Sequence, residues 1–367
     1  MEQYQGSERS RQHQRTAYTQ SVQEQAEALR GKERVRILAL ETSCDETAAA
    51  IVENGREIIA NVVFSQIDLH ALYGGVVPEI ASRAHVEACD RVVDQALAEA
   101  GMALADVDAL AVTCGPGLVG ALLTGVSCMK GLAYAAGKPL IAVNHIEGHV
   151  SANYLTHPDL TPPFVCLVVS GGHSHLVRVS DYGCYELLGQ TTDDAAGEAF
   201  DKAARVLGLP YPGGPRIDAL AEEGDHRFMA LPHPHTDGRY DYSFSGMKTA
   251  FLNAANKLEM KGEPLPKADM AASFRHAVVS SLVEKAILAA TETHAPALAM
   301  AGGVSANRLL RRMMAEACGR AGLPLYMPRI DLCTDNAAMI ASAAYYRLRR
   351  GETAPLTLNA IPTLRLV

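Results

Sequence analysis

The chain has no CxxC pair: its eight cysteines stand apart at positions 44, 89, 114, 128, 166, 184, 318 and 333. That scatter excludes a zinc ribbon. Several of them sit inside apolar runs such as FVCLVVS, which predicts buried, reduced thiols in place of a disulfide framework. Cys44, in ETSCDET, is the one flanked by charged residues. Nor is there a run approaching the roughly 20 uninterrupted apolar residues that span a bilayer, or an N-terminal apolar core followed by a cleavage site. The expectation is a chain with no membrane partner, working in the cytoplasm. Basic excess is missing too. A formal net charge of −8 argues against a protein that binds nucleic acid unaided. Any such surface must be local, with Arg308, Arg311, Arg312 and Arg347, Arg349, Arg350 as candidates, or borrowed from a partner.

What is present is enough for a large core: 367 residues, 48% hydrophobic and 20% charged, a size at which two lobes are expected. Residues 1–34 are polar, with only SVQEQAEALR reading as helical, and are expected to be a flexible tail outside the fold. From Val35 the pattern sharpens. VRILALE, TAAAIV and REIIANVVF read as three strands, with the acidic turn TSCDE between the first two. DALAVTCGPG then gives a strand and glycine turn, LVGALLTGVSCMKGLAYAAG a helix, KPLIAV a strand, and NHIEGHV opens the next helix.

The second half repeats that order. PPFVCLVVS, HLVRVS and YELLGQT are strands. PALAMAGGVS, ANRLLRRMMAEACGRAG, LPLYMP and DNAAMIASAAYYRLRR follow as strand with glycine turn, helix, strand and helix. A region at about 190–290 with helical patterning is inserted between the two sets. The predicted fold class is therefore α/β, a duplicated two-lobed actin-like fold of the sugar kinase and chaperone ATPase type, with a helical insertion in the second half. The boundaries read as a tail at 1–34, an N-terminal lobe at 35–147, a C-terminal lobe at 148–335, and a C-terminal helix and tail at 336–367.

NHIEGHV carries the chemistry. His145 and His149 are four apart on the first turns of a helix, so they lie on one face. A zinc protease of the HExxH type needs its glutamate directly after the first histidine. Here Glu147 comes one place later, about 200° around the helix from His145. Asn144 and Glu147 instead match a capping box. At the equivalent junction of the second half stands Asp335, in CTDNAAM. A pseudo-twofold axis relating the halves would set Asp335 opposite the two histidines across a cleft, completing a set of two histidines and one carboxylate. VVSGG (168–172), YPGGP (211–215) and AGGVSAN (301–307) are candidate phosphate-contacting turns, although none is the GxxxxGK of a P-loop. His173 and His175, beside the first of these turns, read as packed or solvent-facing side chains.

A longer series of motifs runs from Val35 to the C-terminus: ALETSCDET, YGGVVPEIASRAH, GPGLVGALLTGV, VNHIEGH, LVVSGGHSHL, GEAFDKAARVLGLPYPGGPRID, FSGMKTAF, AGGVSANRLLR and CTDNAAMIA. In order and in detail it resembles the TsaD/Gcp family, the tRNA N6-adenosine threonylcarbamoyltransferases, once labelled O-sialoglycoprotein endopeptidases. The resemblance implies transfer of a threonylcarbamoyl group from threonylcarbamoyl-AMP to N6 of adenosine 37 in tRNAs that read codons beginning with A. It implies one divalent metal, usually given as iron, with zinc or magnesium as alternatives, on His145, His149 and Asp335. Substrate-binding positions carry over as Val168, Val169, Ser170, Gly171, Gly172, Asp201, Gly214, Asp218 and Asn307. Asp45 and Glu46, in the acidic turn, are candidates for a catalytic or regulatory role. Expected partners are tRNA, a paralogous and catalytically silent subunit, and a P-loop ATPase. The competing readings are a metalloendopeptidase and a non-catalytic, ATP-binding actin-like scaffold. Residues 1–34 precede the point at which family members usually begin, so their loss is expected to leave activity intact.

Overall fold

Two five-stranded sheets with the same topology organise the chain. The computed structural model describes residues 18–233 and 235–367. The first sheet has the order β3-β2-β1-β4-β5, built from β1 (Arg36–Glu41), β2 (Glu46–Glu53), β3 (Glu57–Ser65), β4 (Ala109–Gly115) and β5 (Leu140–Asn144). β2 is antiparallel to β1 and to β3, whereas β4 is parallel to β1 and to β5. The second sheet, from β6 (Phe164–Val169), β7 (Ser174–Asp181), β8 (Cys184–Gln190), β9 (Leu298–Ala301) and β10 (Leu325–Tyr326), has the order β8-β7-β6-β9-β10 with the same pattern of directions. The duplication predicted from element order is thus present strand by strand.

The chain divides into two compact units. The first holds the described residues through Gln66, Pro78–Ser151 and Asn336–Arg365; the second holds Ile67–Val77, Ala152–Asp335 and Leu366–Val367. In the first unit, α3 (Pro78–Glu99) and α4 (Val119–Ala136) pack on the sheet, and α11 (Ala337–Arg349) packs on β1, β2 and β5. Leu38 and Leu40 join the core formed with Cys89, Val92, Val126 and Met129, while Ile37 and Ala39 are also fully buried. Covering both faces is what makes β1 a continuous apolar run instead of an alternating one. The helix α4 is apolar and long enough to cross a membrane; here it packs against α3 and β4, burying Ala121, Leu122, Val126, Met129 and Ala133.

In the second unit, the inserted helices α6 (Ala196–Val206), α7 (Gly213–Leu220), α8 (Ser245–Met260) and α9 (Lys267–Glu292) share one core with β6 and with α10 (Arg308–Ala321). Phe200, Phe244, Phe251 and Phe274 fill its centre. A short helix, α2 (Ile67–Ala71), also belongs to this unit, and α5 (His145–Thr156) starts in the first unit and ends in the second.

The N-terminal segment departs from the flexible tail expected for 1–34. Residues 18–30 form a helix, α1, which buries Val22, Ala26 and Leu29 along one stripe. Tyr18 Oη donates to the Lys138 carbonyl at 2.9 Å and Gln25 Nε2 to that of Gly137 at 3.0 Å, satisfying acceptors at the C-terminal end of α4. Arg30 Nε donates to the Arg349 carbonyl at the end of α11, at 3.1 Å. Polar composition concealed this, because three apolar residues spaced for a single helical stripe suffice to dock it. Residues 1–17 of the expected tail lie outside the described residues.

Candidate active site

The chain passes from β5 straight into α5 at Asn144, whose Oδ1 accepts from the Ile146 N–H at 2.8 Å and so caps the helix start. That turn presents His145 and His149, with ring centroids 4.6 Å apart and edge to face. Gly148 lies between them in sequence, and α11 approaches there: a Cβ on Gly148 would stand 2.6 Å from Ile340 Cδ1. Asp335 directly precedes Asn336, the N-cap of α11, whose side chain accepts from the Met339 N–H. Donor atoms of His145, His149 and Asp335 lie within 4.8 Å of one another. The helix that Asp335 precedes, α11, packs on the first sheet.

Two imidazoles and one carboxylate at that separation suit a divalent metal. Ligand atoms about 2.0–2.2 Å from an ion stand no more than about 4.4 Å apart, so a small adjustment closes the set. The orientation of His145 is fixed by a residue that the sequence reading passed over. Glu41, fully buried at the end of β1, accepts from Ser43 N at 2.5 Å and Thr113 Oγ1 at 2.7 Å, and pairs with His145 Nδ1 at 3.0 Å. Ser43 Oγ also lies 3.1 Å from the same nitrogen. Nδ1 is thereby occupied, which leaves Nε2 for a ligand, the usual arrangement of a carboxylate behind a metal-binding histidine. A glutamate closing an apolar strand, as Glu41 closes VRILALE, was the available signal.

Glu147 does not close the capping box. It is buried, and Arg347 of α11 donates to its Oε2 at 2.6 Å. Burial pushes its carboxyl up from the ordinary value, and Arg347 opposes that shift. A glutamate held in this pair is not a free base for peptide hydrolysis, which removes the catalytic residue a metalloendopeptidase would need. The acidic turn is also locked: His85 Nδ1 lies 2.8 Å from Thr47 Oγ1 and its Nε2 lies 2.9 Å from the Cys44 carbonyl, while Glu46 Oε1 accepts from Ser65 Oγ. Asp45 is buried in it.

In the second unit, the residues given by the family resemblance form a connected series. Val168 and Val169 end β6, and Ser170, Gly171 and Gly172 turn the chain over the start of α6, where Glu198 N donates to the Gly171 carbonyl at 3.1 Å. Asp201, one turn on, accepts from Gly213 N at 2.7 Å and Gly214 N at 3.2 Å, capping α7. Asp218, on α7, accepts from Arg308 N at 3.2 Å and from buried Arg275 at 2.8 Å. Asn307 caps α10 by accepting from Leu310 N at 3.0 Å. A Cβ on Gly171, Gly172, Gly214 or Gly303 would meet nothing within 4 Å, and none of the four has a positive φ. Neither packing nor backbone conformation calls for glycine at these places, so what they leave is room for a ligand to approach the main chain. Beyond Asp218 opens a hollow of about 420 Å³, lined by Glu222, His226, Arg275, His276, Arg312 and Glu316. His173 and His175 pack ring to ring at 5.3 Å, and burial lowers the pKa of His175.

The arginine patches are largely engaged within the molecule. Arg311 donates to the Ser305 and Pro328 carbonyls, Arg347 pairs with Glu147 and Glu352, and Arg350 pairs with Glu352.

A duplicated α/β chain of this strand order, with glycine turns at strand ends and a His-His-Asp donor group, is an actin-like protein with a candidate metal centre. Solved structures agree on the fold. Full-length HypF in a phosphate- and nucleotide-bound form superposes with a TM-score of 0.59 at 14% identity, over 87% of this chain and 47% of that one. Component A of the (R)-2-hydroxyglutaryl-CoA dehydratase of Acidaminococcus fermentans gives 0.52 at 14% identity, over 86% and 99%. The model of the TsaD family, tRNA N6-adenosine threonylcarbamoyltransferase, matches residues 57–342. The Clostridium perfringens protein of that name is 56% identical over 90% of this chain and 98% of its own length; one from Clostridium botulinum is 54% identical over 91% and 99%. The chain belongs to the TsaD family.

Proposed function

We propose that this protein transfers the threonylcarbamoyl group of threonylcarbamoyl-AMP to N6 of adenosine 37 in tRNAs that read codons beginning with A. The observation that carries this reading is 56% identity to a transferase of that name over 90% of the chain. A divalent ion on His145, His149 and Asp335, with iron preferred over zinc or magnesium, would supply Lewis acidity toward carbonyl or phosphate oxygens.

The rest of the chemistry falls to the chain. Glu41 holds His145 in one orientation and tautomer through Nδ1. The main-chain groups of Val168, Val169, Ser170, Gly171 and Gly172, together with Gly214, receive the phosphate and acyl portions, where open space beside the glycines allows contact with the backbone. Asp218 has lone pairs left after its bonds to Arg275 and Arg308, so it can accept from ribose hydroxyls. Asp201 and Asn307 hold the helix starts that shape the site while facing the same ligand. The hollow lined in part by Arg275, which holds Asp218, is within the range of roughly 300–1,000 Å³ of small-molecule sites. AMP is a good leaving group, so the adenine amine requires little help from a base. Asp45 and Glu46 act from the locked acidic turn as catalytic or regulatory residues.

With a net charge of −8 and Arg311, Arg347 and Arg350 engaged internally, the protein would share tRNA binding with a silent paralogous subunit and a P-loop ATPase in the cytoplasm. The test combines it with those partners, the adenylate-forming enzyme, threonine, bicarbonate, ATP and unmodified tRNA. Nucleoside mass spectrometry should detect threonylcarbamoyladenosine, and its absence with every partner present refutes the assignment.

A further inference from the structure

Two cysteines that the transferase reading leaves unused lie on adjacent, packed helices of the first unit and in one core. α3 leads from β3 to β4 and α4 from β4 to β5, and β3, β4 and β5 all run in one direction. Both helices therefore return against the strands and lie side by side in the same sense. They approach closely near their starts, where a Cβ on Gly120 would stand 2.3 Å from Ser82 Oγ and 3.1 Å from Ser82 Cβ. About two turns further along each helix come Cys89 on α3 and Cys128 on α4. Cys89 is 4% exposed in the core and Cys128, half-buried, packs against that core.

The two sulfurs differ in exposure. A hydrogen bond from the Cys89 thiol to Cys128, followed by burial and the charge of nearby Asp90, raises the pKa of Cys89. The same bond holds Cys128 below the ordinary thiol value, with burial and Asp90 opposing. Cys128 is the more accessible sulfur and Cys89 the buried one, an order that suits an attacking and a resolving cysteine.

We propose that Cys89 and Cys128 form a peroxide-oxidisable dithiol whose disulfide bolts α3 to α4. With hydrogen peroxide as oxidant, the Cys128 thiolate attacks one oxygen and the O–O bond breaks, giving a sulfenic acid and hydroxide. That hydroxide takes up the proton lost from the thiol and leaves as water. The Cys89 sulfur then attacks the sulfenic sulfur, the S–S bond forms and a second water departs. Two thiols and one peroxide give one disulfide and two waters, with sulfur oxidised and peroxide oxygen reduced.

The full-length protein is treated with hydrogen peroxide, its remaining thiols are alkylated under denaturing conditions, and its mass is measured. The expected intact species is lighter by two hydrogens, about 2 Da, before alkylation, and carries two fewer alkyl groups than reduced protein. Cleavage after Arg83, Arg91 and Lys130 should link peptide 84–91 to peptide 92–130, and fragmentation should place the bond on Cys128 and not Cys114. Cys128→Ser and Cys89→Ser should each abolish the linked pair, and a thioredoxin-type reductant should restore both thiols in wild type. A bond to Cys114, or full alkylation of Cys89 and Cys128 under conditions that oxidise exposed Cys184, overturns the proposal. Because the readout is a mass, failure here is separate from failure of the transferase assignment.

Discussion

Replacing Glu41 with glutamine tests the reasoning at its most exposed point, because the change keeps shape and removes one acceptor. In the native site, Oε1 meets Ser43 N–H at 2.5 Å, and Oε2 meets Thr113 Oγ1 at 2.7 Å and His145 Nδ1 at 3.0 Å. A glutamine can keep its oxygen toward Ser43, which turns the NH2 toward His145. A donor facing Nδ1 favours the tautomer protonated at Nε2, so the atom left for a ligand loses its lone pair. The flipped amide instead opposes the Ser43 N–H, donor against donor in a fully buried place, at a cost of about 1–3 kcal/mol. Either outcome should weaken metal binding by about 10–100-fold, the usual effect of losing such a supporting carboxylate, or about 1.4–2.8 kcal/mol. Chelator competition with Zn²⁺ as a redox-silent probe measures this on the purified apoprotein, with circular dichroism to confirm folding. A folded Glu41→Gln protein that binds Zn²⁺ within about twofold of wild type would refute the argument that Glu41 sets the tautomer of His145.

Asp335→Ala removes one donor of the three but leaves the Asn336 cap of α11 in place, so it should abolish threonylcarbamoyladenosine formation and lower Zn²⁺ affinity while the thermal melt stays cooperative. Deleting residues 1–34 should preserve modification activity, yet it uncovers the surface beneath Val22, Ala26 and Leu29. Burial worth about 1.5–3 kcal/mol per large side chain is partly offset by the cost of ordering the helix, so calorimetry should record a melting point lower by a few degrees; an unchanged melt would mean that docking α1 adds nothing. Asp193 accepts from Ser243 Oγ, Ser245 Oγ and the backbone of Phe244 and Ser245 at the start of α8. Burial raises its pKa, but these bonds together outweigh it and hold the carboxyl below its ordinary 3.8. Its contribution is therefore complete above that value and lost as pH falls through the depressed one. Melts taken from pH 5 downward should show a flatter acid limb in Asp193→Asn than in wild type, and parallel limbs would count against the cap.

How much of this was readable depended on whether the physical cause was local. Strand order came through because the period-two and continuous apolar runs of β1, β2, β6 and β7 are set by which faces are covered, and the same order recurs in both halves. The His145 and His149 pair came through because helical spacing alone puts the two on one face. Asp335 was named from its motif and from the repeated element order, whereas the packing of α11, the helix that follows it, on the first sheet could not be read from either. Glu147 misled because Asn-x-x-Glu fits a capping box, whereas its partner, Arg347, is supplied by a helix far along the chain. Glu41 was missed for the same reason in reverse, since a glutamate at a strand end looks like ordinary punctuation until the turn after β1, the end of β4 and the start of α5 bring Ser43, Thr113 and His145 around it. The donors of this centre are written in local spacing, but the groups that orient them are written in the sheet register, where neighbouring strands of one unit place residues from distant positions against a single carboxylate. A search for such centres in sequence should therefore include the carboxylate that closes a fully apolar central strand, because a buried charge there has no stable alternative to a partner.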